Sequence, residues 1–532
     1  MHAGSNDQSL RSGGAGAGVV AQGSRYLEDF FRFFAEMPHR GSATPNEPRA
    51  ARLLTRKLEA DTSADVELQP FAVDVASGAW GIAVHGVLLF AVTVAVWCAG
   101  LAAAWTWGAG PLPVRLGFLG TVPFPCALVV LLWCLAMLVS RLWVDKFGFN
   151  IASFFVPNAD SCNIIAASLP RLEPAGDTPR MSERDRWTKR FHDAKIAGTR
   201  RIVVLMGHYD SARRLPPGKT PRFVLAALKN GMGRLITVMY LVLGLALAAA
   251  CVLGFFGLNG AAYSGWVGIG VSLVLTLAAV MALTAAFVEG VMAAQSASLP
   301  FVQGMNDNLS GVAAIYGAIV KALPPVGARA LRQGTQVITA FTGSEENGLR
   351  GASLFAKDVM APAMQVFGEA NVELINLDTV SGGILRAMPR EVNFSGRDVG
   401  GLRPFAEGFH AWASGPRISA AEADASLTQA QRDSCLVPAT GGAFGLRLEY
   451  AREKLPACTD LTGVCAGLPR AFRRELRGFS IVSRQTGGDD PLSRPRDDHQ
   501  ESDKVDTLFL DQEPANFGTV AALAMILEAY LR

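Results

Sequence analysis

The sequence predicts an α/β fold in which a mostly parallel (mixed) sheet carries helices on both faces and is interrupted by two transmembrane helical hairpins. Three observations carry this expectation. Short apolar runs that stop abruptly at polar residues recur along the chain, as in RIVVLMGHYDSARR from Arg201 to Arg214. Amphipathic helical patterns separate those runs, and such alternation indicates parallel strands buried on both sides. Two long uncharged blocks then break the alternation.

Residues 1–23 are small and polar, without an apolar core of signal-peptide length, and read as a disordered leader. The first part of the α/β domain spans 24–78. Within it, RYLEDFFRFFAEM places Leu27, Phe30, Phe31 and Phe34 at helical spacing, and PRAARLLTRKLEA does the same with Ala51, Leu54 and Leu58. VELQPFAV alternates like a strand.

No charged residue separates Asp74 from Arg115, or Arg115 from Arg141. Each stretch exceeds the roughly 20 residues that a hydrocarbon layer requires, so 79–144 is expected to form a first hairpin. Trp80, Trp105, Trp107 and Trp143 suit interfacial positions. The α/β domain resumes over 148–230, a second uncharged block at 235–288 predicts a second hairpin, and the domain continues over 300–532.

In those later parts DSCNIIAASLP, RIVVLMGHYD, QVITAFTG and VELINLDTV read as strands. NLSGVAAIYGAIVKAL, LRGASLFAKDV and PANFGTVAALAMILEAYL read as helices. Two polar stretches, from Arg171 to Arg200 and roughly from Arg397 to Arg477, show no clear periodicity.

Composition narrows the function. A net charge of +3, with no basic face interleaved with aromatics, argues against a nucleic-acid partner. The 8 cysteines form no CxxC pair, so neither a disulfide framework nor a structural zinc module is readable.

In an open parallel sheet, chemistry gathers beyond the carboxyl ends of the strands. There the sequence places His208 and Asp210, then Asp307 before a helix, Glu345 and Glu346 after QVITAFTGS, Asp378 after VELINL, and His499 before the closing helix. Imidazole and carboxylate ligands suit zinc, and two ions about 3.5–4 Å apart can share one carboxylate. His208 and Asp378 are expected on one Zn2+ ion, Glu346 and His499 on the other, and Asp307 between them. Asp210 follows His208 by two positions and can fix its tautomer, which leaves Glu345 as the general base.

The segments GHYDS, NDNLSGVA, SEENGLRGASLFA, INLDTVSGG and DDHQESDKVDT resemble the successive motifs of the di-zinc aminopeptidase family, the leucyl-aminopeptidase-like zinc exopeptidases related to glutamate carboxypeptidase. PHRGSATPNEPRAARLLTRKLEA resembles that family's N-terminal segment. The resemblance implies a zinc-exopeptidase-like fold, two Zn2+ ions, a peptide substrate cleaved at its N-terminus, and the residue roles given above. The chain departs from the family in the long block between His208 and Asp307. Thr459 with Asp460 stands where the family carries a Ser-Asp or Thr-Asp pair.

Two rivals are a single-zinc glutaminyl-cyclase-like acyltransferase and a non-catalytic peptidase-like receptor. The complete second-metal set weighs against the first, and the intact ligands weigh against the second. Arginines and lysines near the domain ends of the hairpins predict a four-span membrane protein whose catalytic domain lies on the cytoplasmic side of the cell membrane, with the site opening towards the lipid bilayer.

Overall fold

The computed structural model describes residues 16–74, 158–169, 181–214, 299–327, 331–381, 384–393, 397–414, 448–452, 454–455, 458–484 and 514–532. Helices α1 (Gly16–Ala35) and α2 (Asn46–Asp61) open the described chain. α1 begins inside the stretch 1–23 that composition assigns to a leader, because GAGVVAQG continues directly into the amphipathic helix; residues 1–15 lie outside the described residues.

The strands that follow are β1 (Asp65–Asp74), β2 (Asn158–Ala167), β3 (Arg201–His208), β4 (Thr335–Thr342), β5 (Val372–Asp378), β6 (Ile384–Met388), β7 (Arg390–Val392), β8 (Asp398–Gly400), β9 (Leu448–Tyr450) and β10 (Arg477–Arg484). The helices after α2 are α3 (Glu183–Ile196), α4 (Ser310–Ala322), α5 (Arg350–Phe355), α6 (Ala361–Phe367), α7 (Arg403–Ser414), α8 (Asp460–Gly467), α9 (Arg470–Arg474) and α10 (Pro514–Leu531).

The main sheet runs β1-β2-β4-β3-β5-β10-β6-β9. Its centre is parallel: β3 pairs in parallel with β4 and β5, and β5 with β10. The β1–β2, β2–β4 and β10–β6 pairs are antiparallel, so the sheet is mixed, and its parallel centre is the part that the apolar runs predict.

Alternation along each central strand divides its side chains between two cores. Val203, Leu205, Val337, Phe341, Ile375 and Leu377 pack with residues of α1, α2, α4 and α10 on one face. Ile202, Val204, Met206, Ile338, Ala340, Val372 and Leu374 pack with residues of α3, α5, α6 and α8 on the other. Burial on both faces is why these strands read as continuous apolar runs.

The two stretches without clear periodicity contain regular structure. α3 buries Trp187, Arg190, Phe191 and Ala194, and Arg190 satisfies its charge against Asp65 at 2.9 Å and Glu67 at 3.1 Å. A buried arginine interrupts the apolar stripe by which a helix is normally recognised. The second stretch contributes β8, α7, β9, α8 and α9.

One expectation is corrected. Among the described residues no helix is long and apolar enough to cross a membrane. α1 turns a single apolar face of Leu27, Phe30, Phe31 and Phe34 to the core while Arg32 pairs with Glu28 outside, and α10 packs its apolar residues into the same core while Glu528 meets Lys321 and Arg532. The described fold is therefore a mixed α/β sheet without transmembrane hairpins, and the four-span, bilayer-attached, cytoplasmic-side assignment is withdrawn. Residues 79–144 and 235–288, to which the sequence assigns the hairpins, lie outside the described residues.

Candidate metal centre

The parallel centre of the sheet brings its carboxyl ends to one edge. His208 closes β3 opposite Thr342 of β4, and Asp378 closes β5. Beyond β4 the backbone turns through Ser344 at φ 52°, and beyond β5 through Thr379 at φ 51°. Left-handed backbone at non-glycine residues is costly, above all for a β-branched side chain, and such turns cluster where side chains are being aimed. They place Glu345, Glu346 and Asp378 over the end of β3.

Asp307 arrives from the other direction, in the irregular turn Met305–Leu309 that leads into α4; its peptide bond to Asn308 is cis. The buried Asn308 side chain fixes this turn. Its Nδ2 donates to the Leu377 carbonyl at 2.7 Å, while its Oδ1 accepts from the N–H groups of Gly311 and Thr379, each at 3.1 Å. Ser381 donates N–H and hydroxyl to Asn306 Oδ1, a second tie between this turn and the segment after β5.

His208 is the hub. Its Nε2 lies 3.2 Å from Asp307 Oδ1, 3.7 Å from Asp378 Oδ1 and 4.0 Å from Glu345 Oε2. Its Nδ1 lies 3.5 Å from Asp210 Oδ1 and 3.3 Å from the Asp210 carbonyl. A proton on Nδ1, held by Asp210, leaves the Nε2 lone pair facing the other carboxylates. Ligand atoms of His208, Asp307 and Asp378 all lie within 4.8 Å of one another, and so do those of His208, Glu345 and Glu346.

Electrostatics point the same way. Burial pulls the His208 imidazole down, but the Glu345 charge and bonds to Asp210, Asp307 and Asp378 outweigh it and hold the ring well above its usual range. Burial pushes the Glu345 carboxyl well up, with Glu346, Asp378 and Asp460 reinforcing the rise and only His208 opposing it. A crowd of buried carboxylates thus converges on one imidazole, a concentration of negative charge that a divalent cation relieves. Imidazole nitrogen with carboxylate oxygen is a donor set that zinc accepts, and the residues present fit such an ion.

Five of the seven sequence-predicted site residues, His208, Asp307, Glu345, Glu346 and Asp378, meet here, with Asp210 behind His208. His499 lies outside the described residues.

Three further residues shape the site. Glu47 of α2 is fully buried and accepts from Ser161 Oγ at 2.6 Å, Ser344 N–H at 2.8 Å and Ala43 N–H at 2.6 Å, so it anchors the turn that carries Glu345. Burial and the nearby Asp210 charge push its carboxyl up to about 8. Asp460, at the start of α8, accepts from Thr342 Oγ1 at 2.7 Å; burial pushes it up to about 7 although His208 opposes this. Asn308 is the third. Periodicity leaves Glu47 as an ordinary first-turn acid and Asn308 as a loop residue; a place between Pro45 and Pro48 for the first, and the NDN triplet for the second, are the only signals the sequence offers.

No family model and no curated protein matches the sequence. Among solved structures, the chain is similar to an aminopeptidase from Aneurinibacillus sp. strain AM-1, with TM-score 0.40 and 11% identity over 96% of this chain and 95% of that one. It is also similar to the LapA aminopeptidase of Legionella pneumophila, with TM-score 0.37 and 7% identity over 100% and 77% of the two chains. A third similarity is to BSAP, a zinc aminopeptidase from Bacillus subtilis, with TM-score 0.30 and 11% identity over 69% of this chain and 50% of that one. Likeness at this level carries no functional argument.

Proposed function

We propose that the chain is a zinc-dependent aminopeptidase with a dinuclear centre, in which Asp307 is shared, His208 and Asp378 serve one ion, and Glu346 and His499 serve the other. The observation that carries this reading is that His208 gathers with Asp307 and Asp378, and also with Glu345 and Glu346, the ligand atoms within each group lying within 4.8 Å of one another. When bound, zinc supplies polarisation of the scissile carbonyl and lowers the pKa of a water towards neutrality.

The chain's own residues do the rest. Glu345, whose carboxyl is raised by burial, takes a proton from the attacking water and delivers it to the leaving amine. Asp210 holds the His208 ring in the ligating tautomer and, through the N–H groups of Glu345 and Glu346, holds the turn that bears the base. The choice of the peptide N-terminus over the C-terminus follows the family resemblance of the sequence motifs.

Zinc analysis and aminoacyl-arylamide hydrolysis of wild type, Glu345→Gln and His499→Ala test the reading. Glu345→Gln should keep both ions and lose turnover by about 10²–10⁴-fold. His499→Ala should bind one ion fewer. Undiminished turnover in Glu345→Gln sinks the assignment of the base, and a wild-type chain without zinc sinks the whole reading.

A further inference from the structure

Arg40 lies between α1 and α2, 0% exposed, and spends its guanidinium on backbone carbonyls from two distant parts of the chain. Nε donates to the Tyr209 carbonyl at 2.6 Å, directly after His208. Nη1 donates to the Gln303 carbonyl at 2.7 Å and Nη2 to the Gly304 carbonyl at 2.6 Å, shortly before Asp307. The planar fork therefore spans the two segments that deliver His208 and Asp307, although 215–298 separates those segments in sequence.

The surroundings are built to the same end. Residues 212–214 and 300–302 run side by side, with Val302 N–H donating to the Ala212 carbonyl at 3.0 Å and Arg214 N–H to the Pro300 carbonyl at 2.9 Å. Ser211 ties this neck to Arg40: its hydroxyl accepts the Arg40 N–H at 3.0 Å and donates to the Val302 carbonyl at 3.0 Å. Gly304 has φ 70°, and a Cβ there would meet the Asp307 carbonyl at 2.5 Å and Arg40 Nη2 at 3.1 Å. Space at the junction is filled, with the Asp307 carbonyl, Ser211 Cβ and the Arg40 guanidinium all crowding Gly304.

We infer that Arg40 is a positioning residue of the metal centre, which sets Asp307 against His208 by clamping together the segments that flank residues 215–298. This inference rests on the metal-centre reading above. A lysine cannot reproduce the clamp, because one ammonium cannot present three donors in a planar fork to three fixed carbonyls.

The test measures zinc affinity by chelator competition in wild type, Arg40→Lys, Ser211→Ala and Arg190→Lys, together with amide hydrogen exchange of the metal-free proteins. Arg190 is the control, a buried arginine that bridges Asp65 and Glu67 away from the site. Arg40→Lys should weaken zinc binding about 10–100-fold and raise exchange at 209–214 and 300–309, leaving the β4 and β5 amides protected. Ser211→Ala should move both readouts in the same direction by less, and it decides the matter if Arg40→Lys does not fold. Arg190→Lys should lower stability and leave zinc affinity unchanged. Wild-type affinity in a folded Arg40→Lys, or equal losses in Arg40→Lys and Arg190→Lys, overturns the inference alone. A wild-type chain that takes up no zinc overturns it together with the metal reading.

Discussion

Asp210 and Glu345 are joined through the backbone: the Glu345 N–H donates to Asp210 Oδ1 at 3.2 Å, and that same oxygen lies 3.5 Å from His208 Nδ1. Oδ2 accepts the Glu346 N–H, also at 3.2 Å. One buried carboxylate thus registers the imidazole against the turn that carries both glutamates. Asp210→Asn should turn an amide NH2 towards one of these N–H donors and remove the charge that holds the His208 tautomer. Zinc affinity is expected to fall about 10–100-fold, as competition with a chromogenic chelator would show. Unchanged affinity would mean that the ring is held by its other neighbours.

Glu47 should give the metal-free protein a stability that falls with rising pH. Its folded carboxyl is raised to about 8 by burial and by Asp210, whereas an unfolded glutamate titrates near about 4.3. Over the window between these values the folded state retains a proton that the unfolded chain releases. The contribution is therefore fully present below the unfolded value and is lost as pH rises through about 8. Urea unfolding of metal-free wild type should show this decline. Glu47→Gln, which cannot titrate, should flatten it while costing about 1–3 kcal/mol at low pH, because its NH2 must face the Ala43 or the Ser344 N–H. Parallel pH curves for the two proteins would refute the assignment.

What could be read in the sequence, and what could not, divides along physical lines. β3, β4 and β5 are legible because strands buried on both faces are continuously apolar, and His208, Glu345, Glu346 and Asp378 stand out because such strands end abruptly in polar residues. Asp307 is legible as an acid before a helix. Arg40, Glu47 and Asn308 are not, because what they satisfy are backbone groups far away in sequence, a relation that periodicity does not encode. α3 is hidden by the buried Arg190, and α8 is short and begins in the polar pair Thr459 and Asp460. The apolar blocks at 79–144 and 235–288 suggest membrane spans by length and hydropathy, and no described helix supports that step.

Gly311 permits the close approach of α4 to the end of β5. A Cβ there would lie 2.4 Å from Asn308 Oδ1 and 2.9 Å from the Leu377 carbonyl, both parts of the tie that sets Asp307 beside Asp378. Gly311→Ala is helix-favouring by propensity, yet overpacking should win and destabilise the fold by about 1–3 kcal/mol. Zinc retention should fall with it, because Asn308 must move. Thermal melting together with metal analysis would check both parts, and a variant that is more stable and fully loaded would contradict the packing argument.

Glu391 of β7 is a buried carboxylate whose surroundings consist of donors: Thr459 N–H at 3.2 Å, Thr459 Oγ1 at 2.5 Å, Thr462 Oγ1 at 2.7 Å and Ser480 Oγ at 2.7 Å. Burial raises its carboxyl, and these bonds oppose the rise. Thr459 caps α8 by accepting the Leu461 N–H, so Glu391 fixes the start of the helix on which Asp460 sits, close to His208. Glu391→Gln keeps the volume but presents an NH2 to hydroxyls and an N–H that have been donating, leaving at least one buried donor unmatched. The expected loss is about 1–3 kcal/mol in urea unfolding, larger than for an exposed Glu→Gln exchange. Glu391→Leu should cost more, since Thr459, Thr462 and Ser480 would then lose their common acceptor. A Leu variant as stable as wild type would show that these hydroxyls find other partners and that the start of α8 does not depend on Glu391.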